Sequence, residues 1–258
     1  MSTIKTVWLI IAKSNLHVGN ESVDNYNLID KAIQRDPVTN LPCINSSSLK
    51  GAINEYFTTG PNQLDKETRL TVFGADRAGE LTEEVEMKDE KGDQVKKKRL
   101  KTQKGNTSFF DANLLAYPIP DDKELYKMIT CDSVLMHFCN RLKTFGFEIN
   151  IEKLKKEIMN ACGGRQLHSQ TFSDFNEKTS DYELPIIARN CLDKNGNLWY
   201  EQVLPRETIL GTFILSESTV LPDSMNGKLI QVGANATIGY GYCKFIQIAK
   251  MIKESHEK

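Results

Sequence analysis

Val232 to Phe245 reads VGANATIGYGYCKF. Gly233, Gly239 and Gly241 stand among Asn235 and Thr237, and the run Tyr242 to Ala249 (YCKFIQIA) alternates as a strand does. Glycines let a main chain approach a phosphate closely, and successive N–H groups can form an anion-binding concavity. No Gly-Lys-Ser/Thr follows, so this is not a Walker loop. No βαβ pattern precedes it, so it is not a dinucleotide fingerprint. Two readings fit: a loop that holds a phosphate, and a glycine-rich turn that feeds a strand.

Working outward, Thr6 to Ala12 (TVWLIIA) is β-branched and apolar and reads as a buried first strand. His17 to Asn27 is polar and reads as a loop. Asp36-Pro37 and Asn40 to Pro42 carry turn chemistry, with Asp36 suited to an Asx turn. Ser46 to Ser48 then precede Leu49, Ala52, Ile53, Tyr56 and Phe57, a helical stripe with a serine cap, ended by Gly60-Pro61. Phe109 to Ile119, Leu125 to Thr130, Glu183 to Arg189, Leu198 to Leu204 and Thr208 to Leu215 read as strands. Lys228 to Val232 is a short helix or strand. Asp132 is expected to cap a helix carrying Val134, Leu135, Phe138 and Leu142. Ile151 to Ala161 is a second helix, broken by Gly163-Gly164. The order suits an α+β sandwich with helices on one face of an antiparallel sheet, and a ferredoxin-like core is the natural candidate. All of residues 1–258 are read as one domain. Within it, residues 79–106 form a charged, mobile surface insertion, acidic first (Glu80 to Glu90) and basic second (Lys96 to Lys104), with opposite charges facing each other across a loose hairpin.

Ile44 to Ala52 (INSSSLKGA) is a second candidate phosphate seat. A helix N-terminus offers free N–H groups and a positive dipole end, and Lys50 adds a full charge. An ordinary capped helix fits the same residues. Composition restrains both readings. There are 33 basic and 34 acidic side chains, for a net charge of −1, so an RNA site must be a local patch. The six cysteines stand singly, with no Cys-x-x-Cys, and the four histidines complete no zinc spacing. The expectation is a reduced cytoplasmic protein with buried thiols, no leader and no membrane span.

Five segments together resemble the RAMP superfamily of CRISPR proteins. They are LHVGN at Leu16 to Asn20, LIDKAIQRDPVTNLPCINSSSLKGAI at Leu28 to Ile53, FFDANLLAYPI, WYEQVLPRETILGTFIL at Trp199 to Leu215, and the glycine-rich stretch. More narrowly they are similar to the repeated backbone subunit of type III-B (Cmr) effectors. The resemblance implies a modified ferredoxin-like (RRM-like) core with long insertions and a thumb hairpin, stacked in several copies with other Cmr subunits along a guide RNA. It implies cleavage of complementary target RNA beside kinks made by the thumb. Ser46, Ser47, Ser48 and Lys50, with Gly233, Asn235, Thr237, Gly239 and Gly241, are the implied RNA-binding residues. Asn45 and Asn54 stand where the family often has Gly and Arg.

Cutting RNA needs a base or a metal ligand near the attacking 2′-hydroxyl. The resemblance places that carboxylate at Asp30, in IDKAIQR, with Mg²⁺ or Mn²⁺ as the expected cofactor. Asp24 and Asp36 are its competitors in the same region. His17 is a candidate acid or base, Glu201 a candidate assistant, and Lys31 and Arg35 could steer a phosphate. A non-cleaving backbone subunit, a guide-processing endoribonuclease with a His base, and a metabolic enzyme with a phosphate loop are the alternatives.

Overall fold

The computed structural model describes residues 3–19, 29–75, 82–88, 94–100, 102–190 and 198–253, with the backbone alone for 82–88, 94–100 and 253. Asp24, Cys191 and most of the expected 17–27 loop lie outside the described residues. The strands are β1 (Thr3–Ala12), β2 (Cys43–Ile44), β3 (Thr82–Lys88), β4 (Gln94–Leu100), β5 (Thr107–Phe109), β6 (Ala112–Ile119), β7 (Lys127–Cys131), β8 (Leu167–Gln170), β9 (Ile186–Asn190), β10 (Leu198–Gln202), β11 (Ile209–Ser216), β12 (Leu229–Gln231) and β13 (Tyr242–Lys253). The helices are α1 (Ser46–Thr59), α2 (Lys66–Phe73), α3 (Asp132–Thr144), α4 (Ile151–Ala161), α5 (Phe172–Lys178) and α6 (Val220–Met225).

β1, α1, β6, β11, α6 and β13 form a ferredoxin-like core. Its strands lie in the order β13-β1-β11-β6, every neighbour antiparallel. β12 extends the sheet at one edge, and β7 and β8 extend it at the other. The unbroken apolar run of β1 decides how the sheet is covered. Val7 to Ala12 are all buried, so both faces of this strand are under cover. Val7 pairs with Phe213 and Leu9 with Gly211 on one face; Trp8 pairs with Thr212 and Ile10 with Leu210 on the other.

A Cβ on Gly211 would stand 2.9 Å from the Phe138 ring, so α3 presses on the first face and leaves no room for a side chain there. On the second face Phe109, opposite Ile214, stacks on Phe73 of α2 at 5.6 Å, and Phe57 of α1 lies beside Phe73. The helices therefore form two layers, not the single layer expected from element order. A strand alternating apolar and polar would have needed one layer only.

The caps also differ from the serine and aspartate pattern. Asn45 is the N-cap of α1 and makes no side-chain cap bond; the Asp111 carboxylate, from the chain just before β6, accepts from the Ser46 N–H at 2.6 Å. Asp132 lies inside the first turn of α3. The Ser169 hydroxyl and the Lys155 ammonium hold its carboxyl below the usual carboxylate range. α2, which the sequence pattern does not announce, is capped by Asp65 accepting from Thr68 N–H at 2.9 Å. Two hairpins stand apart from the main sheet. Among the described residues β3 and β4 pair only with each other, placing Glu83 opposite Arg99, Glu84 opposite Lys98 and Glu86 opposite Lys96 in register. β9 and β10 form the second and carry Glu201 near their base.

Candidate functional site

The segment Asp30–Arg35 runs from the β9–β10 hairpin to the start of α1. At its beginning it adds to β10 like a short parallel strand. The Asp30 and Lys31 N–H groups both donate to Tyr200 O at 3.1 Å, and Gln202 N–H donates to Lys31 O at 3.0 Å. The Asp30 side chain is exposed, and its Oδ2 accepts from Tyr200 N–H at 2.7 Å. Its basic neighbours are turned elsewhere. Lys31 lies over the Trp199 ring at 5.0 Å. Arg35 pairs with Asp181 at 2.7 Å and donates to the carbonyls of Asn40 and Thr179. Asp36 makes the expected Asx turn, accepting from the Val38 and Thr39 N–H groups.

Two buried glutamines fasten this segment. Gln202 Oε1 accepts from Ile33 N–H at 3.1 Å, and its Nε2 donates to Asp181 O and Oδ1 at 3.2 and 3.3 Å. Gln34 Oε1 accepts from Asn45 N–H at 2.7 Å, and its Nε2 donates to Ser48 Oγ at 2.9 Å and Gly19 O at 3.1 Å. Gln34 thereby joins the first loop, the candidate cleavage segment and the start of α1.

Behind the segment lies a buried polar cluster. Glu201 is 1% exposed and His17 3%. Glu201 takes an ion pair from Arg189 at 2.9 Å and a hydrogen bond from Asn235 Nδ2 at 2.6 Å; His17 Nε2 stands 3.5 Å from it. His17 Nδ1 faces Gln202 O at 2.7 Å, and a carbonyl only accepts, so Nδ1 carries the proton. The pairing is what such burial demands, since a carboxylate out of water is costly without a cation and hydrogen bonds. Three distant segments, namely the loop after β1, the hairpin and the glycine-rich loop, meet at this one carboxylate.

The glycine-rich loop is built on the same first loop. Ala234 N–H donates to His17 O at 2.9 Å and Gly241 N–H to Asn15 O at 2.8 Å. Gly233 (φ +80°) and Gly241 (φ +77°) are required by close approach: a Cβ would stand 2.2 Å from His17 O and 2.0 Å from Val232 O respectively. Gly239 (φ +83°) faces open space, and Thr237 and Ile238 are exposed. Asn235 turns inward to Glu201. Of the helix-start residues, Ser47 is exposed, Ser48 is engaged by Gln34, and Ser46 N–H is engaged by Asp111. Asn54 is buried and accepts from Arg69, so α2 brings a guanidinium to the position where the motif lacks one.

Asp30, His17, Glu201, the helix start and the glycine loop therefore belong to one connected hydrogen-bonded unit. Sequence reasoning missed Asp111, Asp181 and Arg189 and gave Gln202 no role. For Gln202 a signal existed: a polar amide in the otherwise closing strand end EQVL is a buried-polar pattern. Among the described residues no three His, Cys, Asp or Glu gather as a metal nest. Asp30 offers a hard, exposed oxygen. That suits Mg²⁺ or Mn²⁺ shared with RNA phosphate oxygens and water, which such ions accept. Three of the thiols are poor nucleophiles and ligands: burial pushes Cys43 and Cys243 up to about 12 and Cys162 up to about 11. No helix among the described residues is long and apolar enough to cross a membrane.

Comparison with known proteins bears on the fold and the family. The RAMP superfamily model matches residues 9–244. The CRISPR system Cmr endoribonuclease Cmr4 of Pyrococcus furiosus is 24% identical over 280 aligned positions, covering 84% of this chain and 87% of that one. The crystal structure of oligomeric Cmr4 from Pyrococcus furiosus superposes with a TM-score of 0.65 at 19% identity, over 96% of this chain and all of that one. A chain of the cryo-EM structure of type III-B Cmr-beta bound to cognate target RNA gives 0.64 at 19% identity, over 95% and 97%. The fold, the ordered motifs and the family match agree: this chain belongs to the RAMP superfamily.

Proposed function

We propose that this chain is a guide-RNA-binding backbone subunit of a type III-B CRISPR effector and that it cuts the complementary target RNA. Its partners are a guide RNA, a single-stranded target RNA, further copies of itself and other Cmr subunits, in the cytoplasm. Membership of the superfamily and the name of the Pyrococcus furiosus relative support the class. The observation that carries the cleavage reading is Asp30: an exposed carboxylate held by a backbone amide of the hairpin, on a segment tied to the helix start.

An RRM lays its RNA on an open sheet face. Here helices cover both faces, so the RNA seat moves to the rim. Ser46, Ser47, Ser48 and Lys50 at the start of α1 and the exposed Thr237 and Gly239 of the glycine loop hold the guide backbone. In the cleavage step the target's 2′-oxygen bonds to the adjacent phosphorus, the P–O5′ bond breaks, and the leaving 5′-oxygen takes up a proton. Asp30 would hold the divalent ion or accept the 2′-hydroxyl proton, and solvent water supplies the proton that the 5′-oxygen takes up. A bound Mg²⁺ or Mn²⁺ would supply charge neutralisation at the phosphate. His17 and Glu201, buried side by side, act through the loops they hold. That burial counts against a guide-processing enzyme that uses His17 as its base.

The test is to purify the assembled complex. A discrete short RNA should accompany it, seen as a raised 260/280 absorbance ratio and a single band on a denaturing gel. Added target RNA matched to that guide should be cut when Mg²⁺ or Mn²⁺ is present. Protein free of RNA would point to the metabolic-enzyme reading. Guide-loaded complex that binds target without cutting would point to the non-cleaving backbone.

A further inference from the structure

We infer that Gln202 is the positioning residue of the cleavage carboxylate, acting on Asp30 through the segment Asp30–Arg35; this rests on the proposal that Asp30 does the chemistry. Gln202 is fully buried, and all of its hydrogen-bonding groups are directed at this segment or its neighbours. Its backbone N–H holds Lys31 O, and its Oε1 holds Ile33 N–H. Its Nε2 holds Asp181, whose same Oδ1 carries Arg35. Its backbone carbonyl is the acceptor for His17 Nδ1. Residues 31, 33 and 35 are thus gripped in succession, directly or through one carboxylate. Asp30 stands next to this grip, exposed and hydrogen-bonded to the Tyr200 backbone.

The physical need is clear. An exposed carboxylate on a loop samples many positions, whereas a reacting group must be held within a fraction of an ångström. A displacement of about 1 Å can cost roughly a hundredfold in rate. Tyr200 holds one carboxylate oxygen through its N–H and the Asp30 and Lys31 N–H groups through its carbonyl, but it does not reach the chain beyond Lys31. Gln202 holds that stretch, two residues beyond Tyr200 on the same strand. Displacement of the hairpin would therefore move Asp30 with it. The carboxylate and the hairpin form one unit.

The test uses guide-loaded complexes carrying Gln202→Leu or Gln202→Glu. Leu keeps the bulk and removes both side-chain bonds. Glu keeps the acceptor for Ile33 and loses the donor to Asp181. Three readouts are taken: hydrogen exchange at the Ile33 amide, guide content, and single-turnover cleavage across target concentration. Gln202→Leu should speed Ile33 exchange at least tenfold and lower the saturating cleavage rate about tenfold or more. Guide content and the half-saturating target concentration should stay at the parent's values. Gln202→Glu should protect Ile33 again and recover part of the rate. Parent-like exchange at Ile33 in Gln202→Leu overturns the clamp. So does a loss of target binding with an unchanged saturating rate. If the parent complex itself does not cut, the cleavage reading fails on its own, and the exchange arm alone decides whether Gln202 grips the segment.

Discussion

Asp30 and Glu201 carry the same chemical group and meet at the same strand, where Lys31 bridges to Glu201. Their surroundings are opposite. Glu201 is sealed in, with Arg189, Asn235 and His17 around it. Asp30 stands in solvent, with the Tyr200 amide on one oxygen. A buried carboxylate must have its partners assembled before any ligand arrives, because the charge cannot be left unpaired. Its bonding capacity is therefore spent on holding the protein. An exposed carboxylate keeps capacity for a metal ion, a hydroxyl or a phosphate-bound water. The difference separates a residue that holds the loops from a residue that can meet RNA.

The largest effect expected from this contrast is on rate. Asp30→Ala should slow cutting by about 10²–10⁴-fold, the range for a positioned proton-transfer group, and shift stability by no more than about 0.5 kcal/mol. Asp36→Ala is its control. It removes the Asx turn and should cost about 1 kcal/mol of stability while cutting continues at the parent rate, measured side by side in assembled complexes. The reverse pattern would interchange the two aspartates.

Glu201→Ala comes next. Removing the buried partner strands Arg189 and Asn235, and thermal or urea unfolding should report a loss of about 3 kcal/mol. An unchanged midpoint would show that the cluster holds nothing. The glycine loop sharpens the same distinction between framework and surface. Gly233→Ala must push a Cβ into His17 O and should destabilise by more than about 1–2 kcal/mol. Gly239→Ala meets only its left-handed backbone and should cost about 1 kcal/mol, read in the same unfolding assay. Equal losses would mean that the two glycines are not differently placed.

The smallest effect concerns the thiols. Burial raises Cys43 and Cys243 to about 12, so both stay protonated at pH 8, and their native alkylation by iodoacetamide should be far slower than after denaturation. Rapid modification of either in the folded protein would contradict the burial assigned to them.

Much of the fold was legible because its determinants are local or periodic. Ile151 to Ala161 reads as a helix with the bounds the structure has, since its apolar positions recur at helical spacing and Gly163-Gly164 follow. The closing strand reads from Tyr242 onward, though it runs on to Lys253. The second helix layer was present in the same letters, in the run of apolar residues without alternation in β1. Tertiary hydrogen bonds were not legible. Asp111 reaches Ser46 from 65 residues away, and Gln202 reaches Ile33 across 169, with no pattern along the chain to announce either. The site shows the same division. Ordered motifs singled out Asp30, the helix start and the glycine loop as candidates, and the structure joins them by hydrogen bonds. What the motifs could not show was that Asn235 turns inward, that Arg35 is committed to Asp181, or that two glutamines join the pieces.

The central claim, that Asp30 serves chemistry and not architecture, is tested most directly by Asp30→Asn in the guide-loaded complex. Asparagine keeps an oxygen to accept the Tyr200 N–H and removes the charge, so the segment stays in place. Single-turnover cleavage of matched target RNA in Mg²⁺ should fall at least about a hundredfold, with guide content, target affinity and melting temperature at the parent's values. Cutting at the parent rate by a folded, guide-loaded Asp30→Asn complex would contradict the account.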